Sequence, residues 1–287
     1  MAVYVTSDAH GHVRALDEVL EQVSLGADDV LYVLGDLIDR GPDPMGVVSL
    51  VRSLPQARVL LGNHELLMLE ATASAGAPQD GAFDTSHLGV EGFTNWFNWM
   101  NNGGAATSEQ LEQLSNDDYV EYLNWVESLP LHDVAVAGGR TYALVHAGIN
   151  PQVVRRFLNI TPDADFSDPE TLRELLRVHT IDDLLWIREF LGIPTGLVGP
   201  DGKGAVVVAG HTPSPLLPRL ASIEEDACIT PEGQGMICEY GACARNGMVN
   251  DRIDIDCAAA SGFGMGRVGV LRLDDHACFY ASIEEGE

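Results

Sequence analysis

The chain has 287 residues, with 16 Lys plus Arg against 43 Asp plus Glu, so its formal charge is −27. A field of that sign repels polyanions, which argues against bare nucleic acid or an anionic membrane surface as partner unless a local patch reverses it. With 46% hydrophobic residues, 21% charged and no long single-sign run, the chain is not disordered, and it has core material for one large domain or two small ones.

Ala2 to Ser7 reads as a buried strand. It follows the first residue with no basic n-region or cleavage site, and no apolar run approaches a membrane span, so the expected location is cytoplasmic. Val13, Leu16, Val19, Leu20 and Val23 then fall on one helical face. Val30 to Leu34 is a second apolar run, followed by the turn signal RGPDP, a helical stretch to Leu54 and a third strand from Arg58 to Leu61. This β-α-β-α-β order predicts parallel strands with crossover helices.

Residues 76–106 break the rhythm with FTNWFNWMNNGG, which reads as a functional loop or lid, with Trp96, Phe97 and Trp99 packing in it or in the core. A helix is predicted around Tyr119 to Val126, strands at Asp133 to Ala137 and Thr141 to Val145, and a helix near Leu172 to Ile187. The remainder is β-rich: AVVVAG, MICEYGA, RIDIDCAA, VGVLRL and ACFYAS, with residues 219–252 read as additional β structure. No repeat or linker divides the chain, so a single domain over 1–287 with two packed sheets is expected. The cysteines, Cys228, Cys238, Cys243, Cys257 and Cys278, are five in number and form no C-x-x-C pair; they read as reduced residues packed mostly in strands.

Each early strand ends in metal-competent side chains: Asp8 and His10 in SDAHG, Asp36, Asp39 and Arg40 in GDLIDRG, and Asn63, His64 and Glu65 in GNHE. Two later strands end at His146 (VHAG) and His211 (AGHT). Ligands of open α/β sheets bind at the carboxyl ends of strands, so these clusters should converge. Asp8, Asp36, His10, His146, His211 and Asn63 form a mixed oxygen and imidazole set that suits Mn, Fe or Zn, while the lack of thiolates argues against a structural zinc site. Six ligands exceed the needs of one tetrahedral ion. They suit two ions sharing a carboxylate at about 3.5–4 Å, a pair that can polarise a phosphoryl oxygen.

SDAHG, GDLIDRG, GNHE, VHAG and GHT, in this order and spacing, resemble the calcineurin-like metallophosphoesterases, specifically the bacterial and phage-type serine/threonine phosphatases of the phosphoprotein phosphatase branch. The likeness runs from Ala2 to at least Pro213, and NNGGAAT (101–107), LLWIRE (184–189) and RIDIDCAA resemble further segments of those proteins. It implies an α/β fold, a four-layer α-β-β-α sandwich of two mixed sheets flanked by helices with the metal site at strand ends. It also implies two divalent ions, with Mn first and Fe or Zn as alternatives. Asp8 and His10 would bind one ion, Asn63, His146 and His211 the other, and Asp36 both. By the same resemblance His64 is the general acid, Asp39 orients it, Arg40 and Arg188 grip the phosphate, and Glu65 supports the ligands. His12 is expected to begin the first helix, and His87, His132, His179 and His276 to have no part in the site. Ser7 and Ala147 stand where relatives often have Gly, and CAAASGFG replaces the eukaryotic S-A-P-N-Y loop, so eukaryotic regulatory contacts are not carried over.

The resemblance implies hydrolysis of phosphoserine and phosphothreonine in a phosphoprotein or phosphopeptide, by in-line attack of a metal-bridging hydroxide. The alternative is symmetrical cleavage of diadenosine tetraphosphate, because VHAGINP resembles that group equally. Against it, that group is expected to deviate from the D-R-G and G-N-H-E patterns complete here. A catalytically silent metal-binding module is a third reading, which the full ligand and acid set opposes. On the first reading the −27 charge would filter substrates, favouring peptides with basic flanks, with added salt narrowing the preference. Oligomeric state is not encoded in these motifs.

Overall fold

A computed structural model describes residues 1–287. The opening strands β1 (Val3–Thr6), β2 (Val30–Val33) and β3 (Ala57–Val59) run parallel, joined by helices α1 (Val13–Val23) and α2 (Pro44–Ser53). Helix α1 buries Ala15, Leu16, Val19, Leu20 and Val23, the stripe that its three-to-four-residue spacing requires. Asp43 caps α2 by accepting from the Gly46 N–H at 2.9 Å, and Pro44 starts the helix where a missing N–H costs nothing. His12 is the residue immediately before α1.

Four helices follow: α3 (Asn63–Ala75), α4 (Val90–Asn101), α5 (Ala105–Leu111) and α6 (Asn116–Glu127). Then come β4 (His132–Ala137), β5 (Arg140–Val145), α7 (Pro151–Ile160), α8 (Pro169–Leu176), α9 (Ile181–Leu185), β6 (Ala205–Ala209) and α10 (Leu217–Ala221). The chain closes with β7 (Cys238–Tyr240), β8 (Arg252–Asp254), β9 (Arg267–Arg272) and β10 (Ala277–Ser282). Two mixed five-stranded sheets result, ordered β10-β9-β1-β2-β3 and β4-β5-β6-β8-β7.

Three apolar layers hold them together. Val3, Val5, Tyr32, Leu34, Tyr142, Leu144, Val206 and Val208 meet between the sheets. The alternate residues Leu31 and Val33 pack beneath α1 to α6, and Ala143, Val145 and Val207 beneath the helices of the other outer layer. Because both faces of the central strands are buried, they read as continuous apolar runs rather than alternating ones. The architecture is the α/β four-layer arrangement of two mixed sheets flanked by helices.

Three predicted segments differ. Residues 76–106 are not a continuous loop: α4 occupies 90–101. Its core face is Gly92, Trp96, Trp99 and Met100, and the glycine carries no apolar signal although it lets α4 approach α3, where a Cβ would lie 2.8 Å from that of Ser74. Phe97 is 54% exposed and so lies outside that packing. Between the end of α10 and the start of β8, the extra β structure expected over 219–252 reduces to β7 at the sheet edge and one isolated bridge, Ile229 to Gly235, with 3₁₀ turns at Glu225–Ala227 and Ala244–Asn246. The helix near 172–187 is two helices, because Thr180 and Asp183 form a capping box that starts α9 anew. Cys228, Cys238 and Cys257 are buried and Cys278 is exposed, with only Cys238 and Cys278 in strands. No helix is long and apolar enough to cross a membrane.

Candidate metal centre

The predicted ligands follow β1, β2, β3, β5 and β6, Asn63 as the first residue of α3 and the others in turns. These turns are tight. Asp8, His10, Asp36 and His211 have φ of 54°, 42°, 54° and 67°, and Asp39 and Arg40 both have 69°, values that L-residues accept only when the surroundings over-determine them. Gly35 (φ 92°) is indispensable among them, since a Cβ there would lie 2.4 Å from the Gly62 backbone.

His146 and His211 converge on the Asn63 amide oxygen, each ring nitrogen at 2.8 Å, and His146 Nε2 is 3.5 Å from Asp36 Oδ1. On the other side of Asp36, His10 Nε2 is 3.5 Å from Oδ2 and 4.0 Å from Asp8 Oδ1. Two groups could therefore each hold a cation: Asp36 with His146 and His211, and Asp36 with His10 and His64. Asp8 lies beside the second group and accepts the His211 N–H at 3.0–3.1 Å. All these side chains are buried.

The donor chemistry fits a divalent ion in both places. His10 Nδ1 faces the Ile38 carbonyl at 2.9 Å and His146 Nδ1 that of Leu34 at 2.8 Å, so each Nδ1 donates and each Nε2 carries a lone pair. Burial holds both imidazoles below their ordinary pKa, helped at His10 by the His64 and Arg40 charges, so they are neutral at neutral pH. His146 Nε2 thus points a lone pair at two acceptors, Asn63 Oδ1 and Asp36 Oδ1, and His211 Nε2 is buried without a partner. Converging acceptors in a dry site repel one another unless a cation lies between them. Burial and the Asp8 charge push the Asp36 carboxyl well above its ordinary value.

A supporting shell fixes this set. The Glu65 carboxylate accepts the backbone N–H groups of Gly62, Asp36 and Leu37 at 2.8–2.9 Å, tying the β2 turn to the start of α3. Burial pushes Glu65 up to about 7, opposed by those amides. Beside it, His64 Nδ1 donates to Asp39 Oδ2 at 2.7 Å, and His64 Nε2 accepts from the Arg40 guanidinium at 2.8 Å. His64 and Asp39 have no solvent exposure. Burial lowers the His64 pKa, with the Arg40 charge second, and raises Asp39 to about 7.

Arg188 is exposed, just before the 3₁₀ turn Glu189–Gly192 rather than inside a helix. Burial of its inner part and the like charge of Arg40 lower its pKa, while Asp256, Asp8 and Asp36 oppose, which places both arginines in the field of the same carboxylates. The structure adds residues that sequence reasoning left without a role. Asp256 follows β8, a sixth strand end; its carboxyl is buried and held far above its ordinary value by burial and by Asp8. Trp99 and Thr107 both donate to Asp39. The only signal for Asp256 and Thr107 was that RIDIDCAA and NNGGAAT resembled family segments, and Trp99 was expected only to pack. Two cavities flank the centre. One, of about 530 Å³, is lined by Arg40, Gly41, His12 and Ser261; the other, of about 440 Å³, by Trp186, Asp182, Asn150 and Glu189, with the Trp186 ring edge-on to His211 at 5.9 Å.

The sequence matches the family described as calcineurin-like phosphoesterase over residues 1–241, and the chain belongs to that family. Among curated relatives it is 33% identical over 157 residues to the symmetrical bis(5′-nucleosyl)-tetraphosphatase of Proteus mirabilis, and 31% identical over 155 residues to that of Erwinia tasmaniensis. Each match covers 53% of this chain and 46% of the relative, so the chain spans about half the length of the curated relatives it matches. Among solved structures it resembles a putative diadenosine tetraphosphatase, with TM-score 0.54 and 18% identity over 99% of this chain and 94% of that one. It also resembles a protein serine/threonine phosphatase from Saccharomyces cerevisiae, with TM-score 0.52 and 14% identity over 100% of this chain and 81% of that one. Both structural likenesses concern the fold.

Proposed function

We propose that the chain is a metal-dependent phosphoesterase that cleaves dinucleoside tetraphosphates symmetrically. The observation that carries this substrate class is the 31–33% identity to proteins named for that reaction, which reverses the order expected from the motifs alone and moves phosphoproteins to second place. Asp8 and His10 would hold one divalent ion, Asn63, His146 and His211 the other, and Asp36 both, with Mn the first choice and Fe or Zn next. Such a pair, when bound, supplies Lewis acidity toward the phosphoryl group and toward water.

The chain's own residues do the rest. Arg40 and Arg188 would take phosphoryl oxygens in paired hydrogen bonds that an ammonium cannot make. Arg40 donates to His64 Nε2. Phosphate drawing that guanidinium away would leave Nε2 free to carry a proton, which passes to the leaving oxygen as its bond to phosphorus breaks and the oxygen of water bonds to phosphorus. Asp39 keeps the ring oriented through Nδ1. Glu65 keeps Asp36 and Asn63 in register through the three amides.

A second reading, hydrolysis of phosphoserine and phosphothreonine, is favoured by the Asp39–His64 pair itself. A nucleoside diphosphate disperses its charge on leaving, whereas a seryl alkoxide needs a strong proton donor, and a buried His–Asp pair suits the second task better. The test is turnover of diadenosine tetraphosphate against phosphoserine and phosphothreonine peptides with Mn-loaded protein, with products resolved by chromatography. The first reading expects kcat/KM at least about tenfold higher for the dinucleotide, with ADP as sole product. A preference for the peptides, or release of AMP with ATP, overturns it.

A further inference from the structure

We infer that Trp99 and Thr107 are positioning residues: they clamp the Asp39 carboxylate so that His64 presents Nε2 to the leaving oxygen. This rests on the reading of His64 as proton donor. Asp39 sits 60 and 68 residues from the two donors, and without them only His64 would bond its carboxylate.

The geometry is closed on every side. The Thr107 hydroxyl accepts the Asp39 N–H at 3.0 Å, which turns its own hydrogen toward Asp39 Oδ1 at 2.6 Å. The Trp99 indole N–H lies 3.1 Å from both carboxylate oxygens, bridging the one held by Thr107 and the one facing His64. Asp39, His64, Trp99 and Thr107 are all 0% exposed, so water cannot replace either donor. Asp39, at φ 69°, has no helix or strand to hold it, and these two bonds supply the restraint.

The same segment also restrains the neighbouring arginine. The Gly103 carbonyl accepts the Arg40 N–H at 3.0 Å and the Asn102 carbonyl the Arg40 Nε–H at 3.3 Å. Gly104 lacks a side chain where a Cβ would lie 2.6 Å from the indole nitrogen, so the indole can pass it to reach Asp39. The run WMNNGGAAT thereby acquires a joint purpose, to hold residues 39 and 40 together.

The test compares Thr107→Val, Thr107→Ser, Trp99→Phe, His64→Asn and Thr107→Val/His64→Asn. The first readout is the dependence of kcat on leaving-group acidity across graded phosphate esters with Mn-loaded protein. The second, on metal-free protein, is the downfield proton resonance of His64 Nδ1–H. His64→Asn should steepen the leaving-group dependence. Thr107→Val should steepen it part-way, slowing the poorest leaving group about tenfold more than the best, and should move the resonance upfield. Thr107→Ser, which keeps the hydroxyl, should restore both, and Thr107→Val should add nothing once His64 is Asn. Losses uniform across the series, additive with His64→Asn, or accompanied by an unmoved resonance overturn the inference while leaving the His64 reading intact. An unchanged dependence in His64→Asn overturns both. Trp99→Phe removes a core indole, so if it fails to fold the Thr107 pair decides the matter.

Discussion

Glu65 offers a perturbation whose size can be worked from its contacts. Its carboxylate is 1% exposed and accepts three buried N–H groups, those of Gly62 and Asp36 on Oε2 and that of Leu37 on Oε1. Glu65→Gln keeps a carbonyl oxygen for two of them but turns an NH2 toward the third, losing one charge-assisted bond and setting donor against donor. At about 1.5–3 kcal/mol for such a bond, with a further ~1 kcal/mol for the orphaned amide, the expected loss is about 3 kcal/mol. Glu65→Ala orphans all three and should cost about 5 kcal/mol or more, against a total stability of about 5–15 kcal/mol. The assay is urea and thermal denaturation followed by circular dichroism in the presence of a chelator, with exposed Glu70→Gln as control; Tm should fall by roughly 6–10 °C in Glu65→Gln. Because Asp36 N and Leu37 N are two of the three donors, metal affinity should fall with it. Stability within 0.5 kcal/mol of the parent for Glu65→Gln would refute the idea that this carboxylate holds the β2 turn.

The stability of the metal-free protein should fall as pH rises from 6.5 to 8. Carboxyls raised by burial, Asp39 and Glu65 to about 7 and Asp36, Asp254 and Asp256 higher, make the native state bind more protons than the unfolded one from about pH 5 upward, and above 6.5 nothing opposes them. Below 6.5 the neutral buried histidines His10, His64, His146 and His211 have the opposite sign. Thermal unfolding in chelator across pH 5–8 checks this, and a Tm that rises from 6.5 to 8 contradicts it; added Mn should remove the alkaline fall, since a cation replaces those protons. Arg188→Lys should weaken inhibition by inorganic phosphate about tenfold while leaving the fold intact, and an unchanged inhibition constant would detach Arg188 from the site. The −27 charge should make kcat/KM for diadenosine tetraphosphate rise between low and about 0.15 M ionic strength and that for a basic-flanked phosphopeptide fall; parallel trends would show that the surface field does not steer either.

What could be read in advance follows from how local the signal was. The predicted ligands each stand directly after an apolar run, and a strand fixes where its next residues go; hence Asp8, His10, Asp36, Asn63, His146 and His211 are found together although up to 203 residues apart. Helix α4 was hidden because Gly92 takes a core position without apolar character and because Phe93 and Phe97, 58% and 54% exposed, extend apolar character beyond the buried face. The role of Thr107 could not be read at all: a threonine within a helix has no pattern that distinguishes a hydroxyl aimed at Asp39 from one aimed at solvent. Asp256 was similarly masked, since RIDIDCAA alternates as a strand should, and only the pairing of β8 beside β6 brings its end to the centre.

The backbone of the centre shows how fold and chemistry compete for the same residues. Twelve non-glycine residues in the chain have positive φ, and six of them are Asp8, His10, Asp36, Asp39, Arg40 and His211. Glycine would remove the steric cost of about 1–2 kcal/mol at each, but it would also remove the carboxylate, imidazole or guanidinium for which the turn exists. The strain is accepted at these turns and restrained by contacts from other elements: Glu65 for the β2 turn, Gly103 and Thr107 for residues 39 and 40, and Asp8 for His211. Those restraints are themselves buried polar groups, so they hold only if every partner is present. One cation between Asp36 and His10 and another between Asp36, His146 and His211 would complete the set, because they turn converging lone pairs from a source of repulsion into bonds. The strand ends should therefore loosen before the sheets when metal is withdrawn, since the layers between and outside the sheets rest on apolar contacts that no ion touches.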